Sequence, residues 1–428
     1  MEDFFRLREK NTDVKTELMA GLTTFMTMAY ILFVNPDILS AAGMPFGPVM
    51  TATALSAGVT TILMGLVTNY PFALASGMGL NAMFAFAVAP IAGWQAALGV
   101  VFISGILFFI LAVLGVIDHI DAAIPASLKR ATAAGIGLFI AFIGLQNAGI
   151  IVGDEATIVT LGNLRQPETL LAIIGLLIMA VLMAKKVRGS ILLGILLTTV
   201  VSFFMGIQPF PSRLGHIFGA PASLAPIAFQ IDFAGAFRLG FMTIFAFAFV
   251  DIFDTLGTLM GTGARAGFLD KNGLLPQIKE AMIVDAVGTV LGAAVGTSTV
   301  TTYVESTAGV SEGGRSGLTA VTVGVLFLAS LFLAPLAGLV PSGATAPALI
   351  IVGVMMMGAV TGIDFADFTE ALPAFLTMLF MPMAYSIAHG IAAGFLSYPI
   401  VKLVAGRKKE VHWFTYILAL ISLIHFAL

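Results

Sequence analysis

Apolar residues run along this chain in blocks of about twenty, separated by short polar or Gly/Pro-rich joints. A membrane-spanning helix needs roughly 20 mostly apolar residues. The blocks therefore predict spans near residues 18–37, 47–67, 95–116, 131–152, 168–186, 189–207, 236–260, 280–295, 317–339, 343–361, 369–386 and 387–405. Two further stretches, 71–90 and 296–314, are shorter and rich in Gly, Ser and Thr. Counted as broken elements, they bring the total to fourteen and become the third and tenth spans. The terminal run 411–427 is apolar but short, and is expected to be an interfacial or peripheral helix.

Composition supports this class. The chain has 428 residues, 59% of them apolar and only 10% charged, with a mean hydropathy of +1.05. Soluble domains carry about 25% charged residues, so lipid is the natural solvent here. A net charge of −3 disfavours a nucleic-acid partner, and the absence of cysteine excludes disulfides and thiol catalysis. The first 18 residues are charged throughout, unlike a cleavable signal peptide; they read as a cytoplasmic amphipathic lead-in. With the N-terminus inside, all but Arg165, Arg213 and Arg238 of the 20 Lys and Arg fall on the cytoplasmic side. That matches the positive-inside rule. Dropping either broken element would invert the downstream loops and spoil the segregation.

The chain also repeats itself. Phe25-Met26-Thr27 and Phe33-Val34-Asn35 return as Phe241-Met242-Thr243 and Phe249-Val250-Asp251, at a constant offset of 216 residues (35 to 251). An odd number of spans lies between the copies, so the halves are inverted in the membrane, as in many secondary transporters. The expected fold is an all-α polytopic membrane protein of two inverted seven-span repeats, with strand-plus-half-helix elements at spans 3 and 10.

Acids inside apolar helices cost about 2.5–3.5 kcal/mol on insertion scales, so they mark polar cavities. Asp251 and Asp254 lie three apart on one face of the eighth span, with Thr255 and Thr258 beside them. In the tenth, GTSTVTTY reads as an extended strand and Glu305-Ser306-Thr307 as capping residues for a short helix. The third has the same form: a Gly-rich lead with Gly77 and Gly79, then Asn81, then a short apolar helix. Two half-helices whose N-termini meet would aim backbone N–H groups at one ligand. His389 is read as a packing residue, Asp285 as interfacial or paired with Lys279, and Asp364, Asp367 and Glu370 as a solvated loop.

Two or three carboxylates and an amide, with no basic partner nearby, disfavour an anion and suit a planar ligand with several N–H donors. A purine base fits that pattern. Phe249, Phe253, Phe84 and Tyr303 could supply stacking faces, and a carboxylate at membrane depth could carry a coupled proton. The competing readings are a sulfate-type anion carrier on the same architecture, an intramembrane enzyme and a channel. The enzyme lacks a paired nucleophile and base or a metal set, and the broken helices favour alternating access over a channel.

The motifs TTFMTMAYILFVNP, ASGMGLNAMFAF, VDIFDTLGTL and GTSTVTTYVESTAGVSEGGRSGLTAV resemble the AzgA-like purine permeases of the nucleobase–cation symporter-2 (xanthine/uracil permease) group, nearly end to end. The resemblance implies a core domain (spans 1–4 and 8–11), a gate domain (spans 5–7 and 12–14) and substrate at their interface. It also implies elevator-like movement and proton symport, with no cofactor besides the coupling proton. On it, Asp251 and Glu305 fall on purine-binding acids, and Asp254, Asn81 and Gly79 on positions needed for function. Ser306 follows Glu305 where the xanthine/uracil branch has Asn, and the next Gly is at 309, which favours hypoxanthine, guanine or adenine. The implied boundaries are 1–17 (N-terminal segment), 18–116 and 236–339 (core halves), 117–207 and 340–428 (gate halves) and 208–235 (linker). The expected partners are a purine nucleobase and the lipid bilayer, with a second copy of the chain as an option. The expected location is the cell (inner) membrane, multi-pass, with both termini cytoplasmic.

Overall fold

A computed structural model describes residues 2–115, 124–211, 218–271 and 275–427. Arg213, residue 116 of the predicted fourth span and the first residues of the predicted gate half at 117–123 lie outside the described residues. Nine helices among the described residues are long and apolar enough to cross a membrane: Val14–Ser40, Phe46–Thr68, Trp94–Leu114, Ala126–Asn147, Pro167–Ala184, Phe241–Ala266, Gly317–Leu336, Ser342–Gly362 and Ile387–Val404. These are spans 1, 2, 4, 5, 6, 8, 11, 12 and 14. Shorter or more polar helices fill the remaining places: Ser190–Phe204 (span 7), Ile278–Val295 (span 9) and Phe368–Met383 (span 13). Spans 3 and 10 are strand-plus-helix elements, Leu74–Ser76 with Met78–Ala92 and Val300–Thr302 with Ser306–Ser311.

Local chemistry explains several of these shapes. Asp13 caps span 1 by accepting from Thr16 N at 2.9 Å. That helix is interrupted at Ala29–Tyr30, upstream of Pro36, which has no N–H to give to the preceding turn. The β-branched run in span 10 does form a strand, β4 (Val300–Thr302), antiparallel to β1 (Leu74–Ser76) with Ala75 opposite Thr301. Extended backbone at membrane depth survives only inside protein, and every residue of both strands is buried. Gly77 follows β1 because a Cβ there would sit 2.3 Å from Thr301 Cγ2.

The inverted repeat is visible in matched contacts. Span 2 packs on span 11 as its mate, span 9, packs on span 4. Thr61 of span 2 donates to the Leu74 carbonyl and accepts from Leu74 N, both at 2.9 Å. Thr289 of span 9 makes the same pair of bonds to Val300, at 3.1 and 3.3 Å. Gly137 and Gly353, again 216 apart, meet where span 5 crosses span 12; a Cβ on either would lie within 2.8 Å of the other's carbonyl oxygen. Spans 1–4 and 8–11 pack mainly with one another, and spans 5–7 and 12–14 form a second group.

Four expectations are corrected. Span 5 ends at Asn147, and residues beyond it form an exposed hairpin, β2 (Ile151–Asp154) paired with β3 (Ile158–Leu161). The C-terminal helix Trp413–Ala427 does not lie peripherally: it packs along span 14 and brings Phe426 onto His389, near the opposite end of that span, with ring centroids 5.8 Å apart. Residue 426 thus stands away from the basic end of span 14, where a cytoplasmic C-terminus was expected. Asp367 and Glu370 are not solvated loop acids. With Glu410 they surround Lys402, whose side chain has no exposed surface, at 4.0, 2.6 and 2.9 Å, and Arg407 joins them through Asp367 and Glu410. Asp285 is neither interfacial nor paired with Lys279: it is buried and accepts from Thr255 Oγ1, Thr302 N and Thr302 Oγ1.

Candidate functional site

A cavity of about 720 Å3 lies between the two helix groups. Span 8 lines one wall with Phe249, Phe253 and Asp254, span 3 adds Gly79 and Leu80, and span 5 supplies Lys129, Arg130 and Ile136 opposite. Lys129 and Arg130 stand at the start of span 5, so the cavity reaches the face of the molecule that carries the N-terminal segment. That face is called the basic face below.

Asp254 is exposed into this space while the surrounding span is largely buried. Phe249 and Phe253 pack ring to ring, centroids 4.5 Å apart and planes 48° apart, and both edge the cavity. Gly79 is there of necessity: a Cβ on it would come 2.6 Å from Ile136 Cγ2 of span 5. The half-helix of span 3 can touch the second helix group only without a side chain at that position.

Behind this wall the acids are held by hydroxyl groups. Asp251 is fully buried; its Oδ2 accepts from Thr289 Oγ1 at 2.8 Å, and its Oδ1 has no partner. Thr255, one turn further, donates to Asp285 at 2.9 Å. Spans 8 and 9 thus exchange two Asp–Thr bonds across the same contact. Asn81 is buried, its Oδ1 accepting from Ser76 Oγ at 2.9 Å and its Nδ2 unpartnered. An unpartnered carboxylate oxygen and an unpartnered amide nitrogen are rare inside proteins and invite a functional explanation.

Glu305 is half-buried at the start of the short helix of span 10 and accepts from Tyr30 OH at 2.9 Å. Tyr30 sits at the break in span 1, so that interruption places the phenol against the acid. Glu305 does not cap its helix with its side chain, because its backbone is already helical. The Ser306 hydroxyl, expected to cap, accepts instead from Ala73 N at 3.0 Å and ties the helix to the residue before β1.

Of the residues singled out in the sequence, Asp254, Gly79, Phe249 and Phe253 border the cavity together. Asp251, Thr255 and Asn81 stand behind it, and Glu305 lies on the tenth span with Tyr30. Phe84 is fully buried in the hydrophobic core, and Tyr303 is buried with its hydroxyl donating to Ser76 O at 2.5 Å. Sequence reasoning missed Lys129. Its Nζ lies 5.7 Å from the Phe253 ring centroid, so the absence of a nearby basic group does not hold. Arg130 also borders the cavity and donates to the Gly362 carbonyl at the end of span 12. Neither was legible, because both come from span 5, over a hundred residues away in the chain.

Residues 15–393 match the Permease family of xanthine/uracil permeases (Xan_ur_permease). The chain belongs to that family. Its sequence relatives include a permease-named protein of Methanocaldococcus jannaschii, 53% identical over 100% of this chain and 98% of that one. The adenine permease AdeP of Escherichia coli is 44% identical (99% of this chain, 95% of that protein). The guanine/hypoxanthine permease PbuO of Bacillus subtilis is also 44% identical (98% and 99%). The fold of this permease resembles the transmembrane domain of a cyanobacterial bicarbonate transporter, BicA, with a TM-score of 0.67 at 17% identity (89% and 97% covered). At that identity the likeness speaks for the fold alone, a core and gate arrangement shared by this xanthine/uracil permease homologue.

Proposed function

We propose that this permease is a secondary active importer of purine bases, hypoxanthine and guanine with adenine as a further candidate, coupled to protons. The observation that carries the reading is the cavity wall of span 8: an exposed carboxylate, Asp254, beside two phenylalanine rings, between the two helix groups. A carboxylate accepts from purine N–H groups, the rings offer faces for stacking, and Glu305 offers a second acceptor. Asp251 Oδ1 and Asn81 Nδ2 supply an acceptor and a donor in reserve behind the wall. The names of the adenine and guanine/hypoxanthine permeases among its relatives support the same substrate class.

In this reading spans 1–4 and 8–11 form the core that carries the purine, and spans 5–7 and 12–14 the gate against which it moves. The acids of spans 8 and 10 carry the coupled proton. The chain resides in the cell's inner membrane with its basic face towards the cytoplasm. The grouping of the helices and the gathering of Lys and Arg on one face support this arrangement.

Lys129 and Arg130 beside the cavity favour a second reading, an anion carrier. Against it, Asp254 turns a carboxylate into the same space, and Arg130 is engaged by a carbonyl. A competition panel in cells lacking purine transport separates the two. Radiolabelled hypoxanthine uptake should be displaced by guanine or adenine and untouched by sulfate or bicarbonate; displacement by the anions instead would establish the second reading. A protonophore should collapse accumulation, and sodium-dependent uptake that survives it would refute proton coupling.

A further inference from the structure

The helix groups touch at several points, the Arg188–Glu312 ion pair at the basic face among them, and the internal repeat relates two of these contacts, one at each end of the molecule, residue by residue. At the face opposite the basic one, Thr345 Oγ1 of span 12 donates to Asp37 Oδ2 of span 1 at 2.7 Å. Thr345 is 2% exposed, and Asp37 follows Pro36 near the end of span 1. At the basic face, Lys129 Nζ of span 5 lies 5.7 Å from the ring of Phe253 of span 8. The offset of 216 that joins Asn35 to Asp251 also joins Asp37 to Phe253 and Lys129 to Thr345. The same offset joins Pro125 to Pro341 at the starts of spans 5 and 12, and Gly137 to Gly353 where they cross. Each contact pairs a residue of the repeat's first helix with one near the start of its fifth.

We propose that Asp37–Thr345 and Lys129–Phe253 are a mated pair of latches of alternating access, related by the internal two-fold, and that their balance biases which face is open. The latch at the far face is a short hydrogen bond, and neither of its residues belongs to the lining of the cavity at the basic face. Its mate at the basic face is a longer cation–ring contact on the rim of the open cavity. Inverted-repeat transporters reach the opposite-facing state largely by moving one helix group as a body against the other. In that state the far latch loosens, and Lys129 closes down on Phe253. Asp37 and Lys129 are positioning residues in this scheme: they hold the helix groups and need not touch the purine. The scheme rests on the transport reading above.

The chain has no cysteine, which permits a clean test. Met260→Cys places one thiol in the cavity lining. In inside-out and right-side-out vesicles, a membrane-impermeant maleimide should label it from the basic face. Removing the far latch with Asp37→Ala or Thr345→Val should slow that labelling about tenfold, the weight of one hydrogen bond to a charged group. Lys129→Met should act in the opposite direction, speeding labelling or holding it at its maximum. Thr345→Ser keeps the hydroxyl and should restore the parental rate, which separates a lost latch from a misfolded protein. Equal effects of the Asp37 and Lys129 substitutions, no effect of either, or failure of Thr345→Ser to restore would overturn the proposal. Labelling needs no transport, so absence of purine uptake would sink the functional reading and leave this test standing.

Discussion

Asp254 carries more of the site than its position in the chain suggested, because it is the acid of span 8 that faces the cavity, while Asp251 is sealed against Thr289. Asp254→Asn is therefore expected to raise the KM for purine at least tenfold, and Asp251→Asn to act on turnover more than on KM; the two kinetic constants of initial uptake separate these effects. Glu305→Gln should weaken or abolish transport while leaving the protein in the membrane, because the amide keeps its size and loses the charge next to Tyr30. Unchanged uptake and selectivity would remove Glu305 from the site. Phe253→Ala should cost about tenfold in KM, since stacking of one base on a ring is worth about 1–3 kcal/mol. At this scale the sequence was legible where a costly residue type announced itself. The acids of spans 8 and 10 stood out against lipid, and Gly79 stood beside Asn81. Lys129, Asp37 and Glu17 did not, because each lies near the end of a helix, where a charge is ordinary. Glu17 is nonetheless fully buried, accepting from Arg315 N, Ser316 N, Thr319 N and Thr319 Oγ1 at the start of span 11.

Among the elements, the broken spans were the most readable, since only buried backbone could be extended there, and β1 and β4 pair as that argument requires. Gly79 makes a test of how span 3 meets span 5. Gly79→Val should slow transport by crowding Ile136, and the added change Ile136→Ala should recover part of the rate by vacating the space. The ion cluster at the start of span 13 was unreadable, because Asp367, Glu370, Lys402, Arg407 and Glu410 come together only when span 14 turns back beside span 13. Hydrogen bonds from Thr369, and then Arg407, hold the Asp367 carboxyl below the usual carboxylate range. Arg407, and then Lys402, push Glu410 down to about 2. Folded values below the unfolded ones mean stability that is present above about pH 4 and lost as pH falls towards 2. Arg407→Gln should accordingly lower the melting temperature at pH 7, and the gap to the parent should shrink on acidification to pH 3. A gap that stays constant with pH would show that the cluster contributes packing only. Both carboxylates keep part of their surface in solvent, 23% for Asp367 and 45% for Glu410, so salt should narrow the gap as well.

Over the whole molecule, five identical residues and one Asn/Asp pair at one offset were enough to suggest an inverted pair of seven-span halves. The structure extends that offset to the crossing of spans 5 and 12 at Gly137 and Gly353. The helix Trp413–Ala427 escaped the reading because it has no mate in the first half, and at 15 residues its length alone does not decide between lying on a membrane and packing within it. Its side-by-side packing with span 14 comes from tertiary contacts that no local pattern records. The cavity between the two helix groups, rather than any single residue, is what the functional account depends on. The most direct test is purified protein in liposomes with an inward proton gradient, assayed for radiolabelled hypoxanthine uptake. The account predicts concentrative uptake that unlabelled guanine or adenine displaces, that a protonophore abolishes and that Asp254→Asn sharply reduces. Uptake of no purine under a gradient that the same liposomes demonstrably hold would contradict it.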